Sequence, residues 1–247
     1  MQVTYASAAT PGGVNEDHVV AGDGWAAVLD GATARPGVVT GCAHDPAWLV
    51  RRLGGALAVR LGDGAGDLRD VLAEAIDEVR TRHDGCDLGN PDSPSTTVSI
   101  VRWHGRRLDW LVLADSPVLV DDGAVRVVRD DRVDRLPSYT AEAVRAARNS
   151  AGGFWVASTR PEAAYEAVVG TAPDVRRAAV LSDGASRLVE LFGALTWPGL
   201  LDALDAEGPA AVIARTRAAE AAHTAPIVRG KPHDDATAVV LRAIAQS

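Results

Sequence analysis

The chain has 247 residues, of which 47% are hydrophobic and 23% charged, and its net charge is −8. That length accommodates one large domain with a substantial core, and the acidic balance argues against a nucleic-acid groove or an anionic membrane surface as partner. No apolar run approaches the roughly 20 residues that span a bilayer, and two cysteines do not make a disulfide framework.

In chain order, residues 2–8 alternate weakly and suggest a first strand, which Pro11-Gly12-Gly13 interrupts. Residues 17–30 read as a hairpin turning at Gly22-Asp23-Gly24. Pro46 opens a helix with Asp45 as its N-cap, and Trp48, Leu49, Leu53, Leu57 and Leu61 recur at helical spacing. The glycine-rich stretch 62–66 ends it, and a second amphipathic helix is expected over 68–83. Two helices of similar length joined by a short loop predict an antiparallel pair. Two more hairpins follow, over 96–114 and 118–128, then a short helix at 141–148 and a helical stretch at 161–169. A strand at 175–181 leads to a helix starting at Ser186. Helices at 198–206 and 209–222 follow, then the polar stretch 229–235 and a closing strand at 236–243. Runs of hairpins with helices grouped between them predict an α+β architecture, antiparallel sheets with helices packed outside. No linker divides the chain, so 1–247 reads as a single domain.

Acidic residues gather at the ends of the expected strands. The apolar runs Trp25-Ala26-Ala27-Val28-Leu29 and Ala178-Ala179-Val180-Leu181 lead into Asp30-Gly31 and Ser182-Asp183-Gly184. A continuous apolar run ending in a turn predicts a buried strand that lifts the aspartate to the rim of a sheet, with glycine allowing a tight turn and an exposed carbonyl. Asn15-Glu16-Asp17 and Asp234-Asp235 occupy similar junctions. Carboxylates from several strand ends cage a hard divalent cation if they converge, and are otherwise solvated turn acids.

The ordered set Asn15-Glu16-Asp17, Val28-Leu29-Asp30-Gly31, Ser95-Thr96-Thr97, Ala114-Asp115-Ser116, Leu181-Ser182-Asp183-Gly184 and Asp234-Asp235-Ala236-Thr237 resembles the motifs of the metal-dependent type 2C (PPM family) serine/threonine protein phosphatases, over nearly the whole chain. The resemblance implies an α-β-β-α sandwich with two Mg²⁺ or Mn²⁺ ions at one end of the paired sheets. It implies that Asp30 bridges both ions, that the Gly31 carbonyl binds one, and that Asp183 and Asp234 complete the other. Glu16 and Asp17 would hold waters of the metals' shells, and a metal-activated water would attack phosphorus with no protein nucleophile. The implied substrate is a phosphoserine or phosphothreonine protein.

Four departures bear on that expectation. The family's phosphate-gripping arginine corresponds to Gly12, and an aspartate that helps bind a third metal in many bacterial members corresponds to Arg187. A guanidinium can accept a phosphate bidentately, so Arg187 is expected to take over part of the missing role. The family's Asp-Asn becomes Asp234-Asp235, leaving open which carboxylate binds metal. Its Gly-Asp-Ser-Arg becomes Ala114-Asp115-Ser116-Pro117, where Asp115 is an accessory ligand or a turn former. Residues 149–174 occupy the place of a substrate-access flap. A small phosphate ester stays open as substrate, as does a phosphatase-like binding protein without turnover. No basic segment followed by an apolar stretch lies near Met1, so a cytoplasmic location is expected; a bacterial source is expected with the family resemblance.

One constellation lies outside this pattern. Cys42-x-His44 precedes the first helix and His83-x-x-Cys86 follows the second, so antiparallel pairing would bring the two together. A Cys₂His₂ zinc site and a pair of buried thiols beside capping histidines are both compatible with the sequence; a disulfide suits a reducing cytoplasm less well.

Overall fold

Alternation along the strands builds the molecule in four layers. The computed structural model describes residues 1–35, 37–64, 66–225, 227 and 231–243; the expected loop positions Pro36, Ala65, Arg229 and Gly230 lie outside them. One antiparallel sheet contains β1 (Gln2–Ala8), β6 (Val118–Asp121), β7 (Val125–Val128), β9 (Arg177–Leu181) and β10 (Ala236–Arg242), in the order β1-β10-β9-β6-β7. The other contains β2 (Asp17–Gly22), β3 (Trp25–Ala32), β4 (Ser95–His104), β5 (Arg107–Leu113) and β8 (Val168–Ala172), in sequential order.

Successive side chains of a strand point to opposite faces, and each sheet is apolar on both. Ala26, Val28, Val101, Val112, Val118, Val120, Val180, Val239 and Leu241 meet between the sheets. The opposite face of the first sheet packs Leu119, Ala179, Leu181 and Val240 against helices α4 (Asp183–Glu190), α5 (Trp197–Ala206) and α6 (Pro209–Ala222). The opposite face of the second packs Ala27, Leu29, Val98 and Ile100 against α1 (Pro46–Gly62) and α2 (Leu68–Arg80). The short α3 (Ala141–Ala147) packs Val144 and Ala147 against Ala114, Phe154 and Val156. Leu29, Leu49, Leu53, Leu57 and Leu72 are essentially inaccessible, and burial of each contributes about 1.5–3 kcal/mol. The α1 N-terminus is fixed by Asp45, whose carboxylate accepts the Trp48 N–H at 2.7 Å, with Pro46 in the first turn. Among the described residues no helix is long and apolar enough to cross a membrane.

The structure shifts three expected boundaries. The stretch expected to be helical over 161–169 is a short 3₁₀ turn, Pro161–Glu166, followed by β8 on the free edge of β5. Gly170 lies against the Trp110 ring there, 2.4 Å from where a Cβ would stand. Helix α4 begins at Asp183, not at Ser186. Asp30-Gly31 is no turn: β3 continues through it, paired with Thr97 and Thr96 of β4. Both Asp-Gly glycines answer to close packing. A Cβ on Gly31 would meet the Glu16 carbonyl oxygen at 2.6 Å, and one on Gly184 would meet that of Asp235 at 1.8 Å. Neither has the left-handed backbone that only glycine adopts easily.

Candidate metal centre

Asp17 and Asp30 stand directly opposite each other on β2 and β3, and opposite residues of an antiparallel pair share a face. Ala26, Val28 and Asp30 follow at spacings of two, so both aspartates continue the face that looks into the inter-sheet core, at the end where that core stops. From the other sheet, β9 runs out into Asp183 at the first turn of α4, and Asp234 stands just before β10. The Asp183 N–H donates to Asp30 Oδ2 at 3.2 Å, so the positive end of α4 is directed at the Asp30 carboxylate. Thr96 Oγ1 donates to the Asp30 carbonyl at 2.9 Å, which ties the Ser95-Thr96-Thr97 segment to the same corner. Asp115 lies close enough to add its charge to that felt by both Asp30 and Asp183. It follows Ala114, a non-glycine residue held at φ 70°.

Electrostatics mark this corner as a place that demands a cation. Both Asp17 oxygens are buried without a well-formed hydrogen bond. Burial first, and then the charges of Asp235 and Asp234, push its pKa up to about 7, against the pull of the nearby Ser182 and Thr237 hydroxyls. Asp183 forms the floor of an open cleft with Asp115, Arg129, Arg187 and Trp197 around it. Protein packed around the cleft, then Asp234 and Asp115, push the partly exposed carboxyl upward, and Arg187 opposes the shift. Asp30 is raised well above the ordinary carboxylate range by desolvation and by Asp17, Asp183, Asp234 and Asp115. Glu16 is raised by burial, although Thr33 donates a hydrogen bond to it and Lys231 lies nearby. Carboxylates crowded this way lower one another's acidity unless a positive charge joins them. Oxygen donors of this kind, open to water on one side, suit Mg²⁺ or Mn²⁺.

Comparisons with known proteins give the family and the fold. A family model described as protein phosphatase 2C matches residues 6–216. The chain belongs to the protein phosphatase 2C family. Among solved structures, the Mycobacterium tuberculosis serine/threonine phosphatase PstP is 20% identical, with 97% of each chain covered and a TM-score of 0.63. A PstP catalytic domain solved with two manganese ions is 21% identical, covering 97% of this chain and 96% of its own, at a TM-score of 0.60. PppA, a regulatory component of the type VI secretion system of Pseudomonas aeruginosa, is 18% identical over 98% of this chain and 97% of its own, at 0.62. These likenesses show the phosphatase 2C fold, two antiparallel sheets flanked by helices. No curated protein matches the sequence.

Within that fold, Glu16, Asp17, Asp30, Asp183 and Asp234 come together, and two expected participants take other posts. Both oxygens of Asp235 are already engaged, by the Thr10 N–H at 2.6 Å and the Glu16 N–H at 2.7 Å. Its carboxylate braces the turn that holds the Asn-Glu-Asp motif. Arg187, expected to offer a free fork to phosphate, is buried and spent within the protein. It donates to Glu220 at 2.8 Å and to Asp234 Oδ2 at 3.0 Å, with the Pro232 carbonyl at 3.3 Å. Its charge steadies Asp234 in place of presenting an open guanidinium. Gly12, at the family's arginine position, is exposed in a tight turn at φ 76°.

Lys231 belongs to none of the sequence motifs, yet it stands at the rim of this site. Its ammonium reaches Thr33 Oγ1 at 2.8 Å and Asp234 Oδ1 at 3.3 Å. Burial works against its charge, but Asp234, Glu16 and Asp30 outweigh it and hold the pKa above the ordinary lysine value. The available signal was its being the only lysine in the chain, three residues before Asp234.

Proposed function

We propose that the chain is a Mg²⁺- or Mn²⁺-dependent phosphomonoester hydrolase whose substrate is a phosphoserine or phosphothreonine protein. The observation that carries this reading is Asp17, a buried carboxylate without a well-formed hydrogen bond, facing Asp30 where Asp183 and Asp234 converge. Asp30, the Gly31 carbonyl, Asp183 and Asp234 would hold two ions, with Glu16, Asp17 and Asp115 orienting water around them. The ions, when bound, supply Lewis-acid activation of water and neutralise charge on the phosphoryl group.

The remaining work falls to the chain itself. The α4 N-terminus and Thr96 fix Asp30 from both sides, Arg187 sets the rotamer of Asp234, and Asp235 holds the loop carrying Glu16. Lys231, half-exposed at the rim, supplies a cation for an incoming phosphate where Gly12 supplies none. Its compact charge attracts phosphate without the bidentate geometry of an arginine. The cleft over Asp183 is open, as access for a side chain carried on a polypeptide requires. A second pocket of about 310 Å³ adjoins Thr33 and carries Arg35, Arg145 and Arg148, positioned to receive residues flanking the phosphate.

A phosphatase-like binding protein without turnover is the second reading. It is favoured by the loss of the family arginine at Gly12 and by the ion pair that ties Asp234 to Arg187. Hydrolysis of p-nitrophenyl phosphate and of a phosphothreonine peptide with Mn²⁺, with Mg²⁺ and with EDTA, beside Asp183→Ala, separates the two. Metal-dependent turnover that the variant lacks is expected. Metal binding by calorimetry with no turnover of either substrate would favour the binding protein, and no metal binding at all would overturn the site.

A further inference from the structure

We propose that Cys42, His44, His83 and Cys86 form a structural Cys₂His₂ zinc site that clamps the segment ahead of α1 to the segment after α2. One donor atom from each of the four residues lies within 4.8 Å of all the others. Cys42 Sγ is 3.2 Å from Cys86 Sγ, 3.4 Å from His83 Nδ1 and 3.5 Å from His44 Nδ1, and Cys86 Sγ is 3.6 Å from His44 Nδ1. A tetrahedral zinc ion bound at about 2.3 Å to sulfur and about 2.0–2.1 Å to nitrogen separates its ligand atoms by roughly 3.3–3.8 Å. The three sulfur–nitrogen contacts fall in that range and the sulfur pair lies closer, so the donors face one centre where a zinc ion would spread the sulfurs by about half an ångström; the two sulfurs are unbonded thiols.

The donor set selects the metal. Two thiolates and two imidazoles are the ligands of a closed zinc site, and they are poor partners for the Mg²⁺ or Mn²⁺ that oxygen donors favour. The surroundings hold the donors in place. The His44 N–H donates to Cys42 Sγ at 3.4 Å, and Thr40 Oγ1 accepts the Cys42 N–H at 3.3 Å. Trp48 stacks on the His44 ring at 3.8 Å and meets the His83 ring edge-on at 4.8 Å, fixing both planes. The Asp87 N–H donates to the Gly41 carbonyl at 2.8 Å, so the two segments already touch through backbone.

A clamp is needed at this place. Between β3 and α1, and again between α2 and β4, the described residues form no helix or strand, so no hydrogen-bond ladder holds either segment. The first of these carries Thr33, which bonds Glu16 and Lys231, and both segments line the arginine-bearing pocket. A zinc ion binding the two segments together would set the wall of that pocket without entering the acidic centre. The proposal stands on its own residues and does not depend on the hydrolase reading.

The test is metal analysis of the full chain, expressed with zinc in the medium and purified without added metal or chelator. One zinc per chain is expected, lost in Cys42→Ser and in Cys86→Ser and retained in Asp30→Asn. Refolding or exchange with Co²⁺ should give sulfur-to-cobalt charge-transfer bands and the strong visible bands of tetrahedral cobalt, absent from the Cys86→Ser protein. Should the serine variants fail to fold, the cobalt spectrum of the parent protein and titration of its thiols before and after chelation still decide. Absence of both zinc and the cobalt bands overturns the proposal. So does zinc that follows Asp30 instead of the cysteines, or a Cys42–Cys86 disulfide in the purified protein.

Discussion

Two clusters of ligand-type side chains stand at the same end of the α1–β3 corner, and they are built on opposite principles. The acidic centre gathers oxygen donors from both sheets, leaves one side open to a cleft, and raises the carboxyl pKa values because like charges are forced together. The Cys42–His44–His83–Cys86 cluster gathers two sulfurs and two nitrogens from two loops and closes on itself beneath Trp48. An open oxygen cage exchanges its ion and leaves room for water and substrate; a closed sulfur and nitrogen cage holds its ion as part of the fold. The difference teaches that ligand chemistry and openness together, more than proximity of titratable groups, separate a working centre from a staple.

That contrast breaks most sharply at Asp30. Asp30→Asn should reduce Mn²⁺-dependent ester hydrolysis by about a thousandfold or more, the scale of losing several kcal/mol of charge stabilisation, with the zinc content unchanged. Parallel steady-state kinetics and metal analysis check both halves. Next in size is chelation. Brief treatment with EDTA should abolish turnover, and added Mn²⁺ should restore it, while zinc stays with the protein. Zinc lost at the same rate as activity would erase the distinction between the clusters. Stripping the zinc under harsher conditions should lower Tm by about 4–8 °C, corresponding to about 2 kcal/mol in a chain of this size.

Another effect concerns pH. In the fold Asp17 is held near 7 by burial and by Asp235 and Asp234, against an ordinary value of 3.8. The unfolded chain therefore releases this proton first as pH rises, and the fold loses stability through this group between about pH 4 and 7. Asp17→Asn should raise the metal-free Tm at pH 7, with the gain shrinking toward pH 4. Thermal melts across that range in EDTA check it, and a constant difference would refute it. The smallest effect lies at Ala114, whose left-handed backbone costs about 1–2 kcal/mol, partly offset by the greater chain entropy of glycine. Ala114→Gly should stabilise by about 0.5–1 kcal/mol without altering zinc content, as read from denaturant melts.

The strands that carry the acidic centre were legible because their signal is local. Uninterrupted apolar runs before Asp30 and Asp183 mean burial on two faces, and both are buried strands. What the glycines do was not local: Gly31 and Gly184 are required by Glu16 and by Asp235, neither of them a neighbour in the chain. Strand β8 escaped notice because it lies at an edge with little burial, and Gly170 answers to a tryptophan on β5. Arg187 looked available because no sequence pattern reveals that Glu220 and Asp234 flank it. The two cysteine–histidine pairs were legible as neighbours because two helices joined by a short loop return the chain to its starting point.

The order of strands in the first sheet has a consequence for how the protein comes into being. β10 lies between β1 and β9, so the first and last strands of this fold must meet before that sheet is whole. The same late segment brings Asp234 to the acidic centre and Asp235 to the backbone of Thr10 and Glu16. A nascent chain can pair β2 through β5 and close α1 on α2 while it is still being made, since those contacts are near in sequence. Its acidic centre comes together only once β10 and the Asp234-Asp235 pair ahead of it have been made. Newly synthesised copies therefore pass through a stage in which the Cys42–His44–His83–Cys86 cluster has all four of its ligands and the acidic centre is still incomplete.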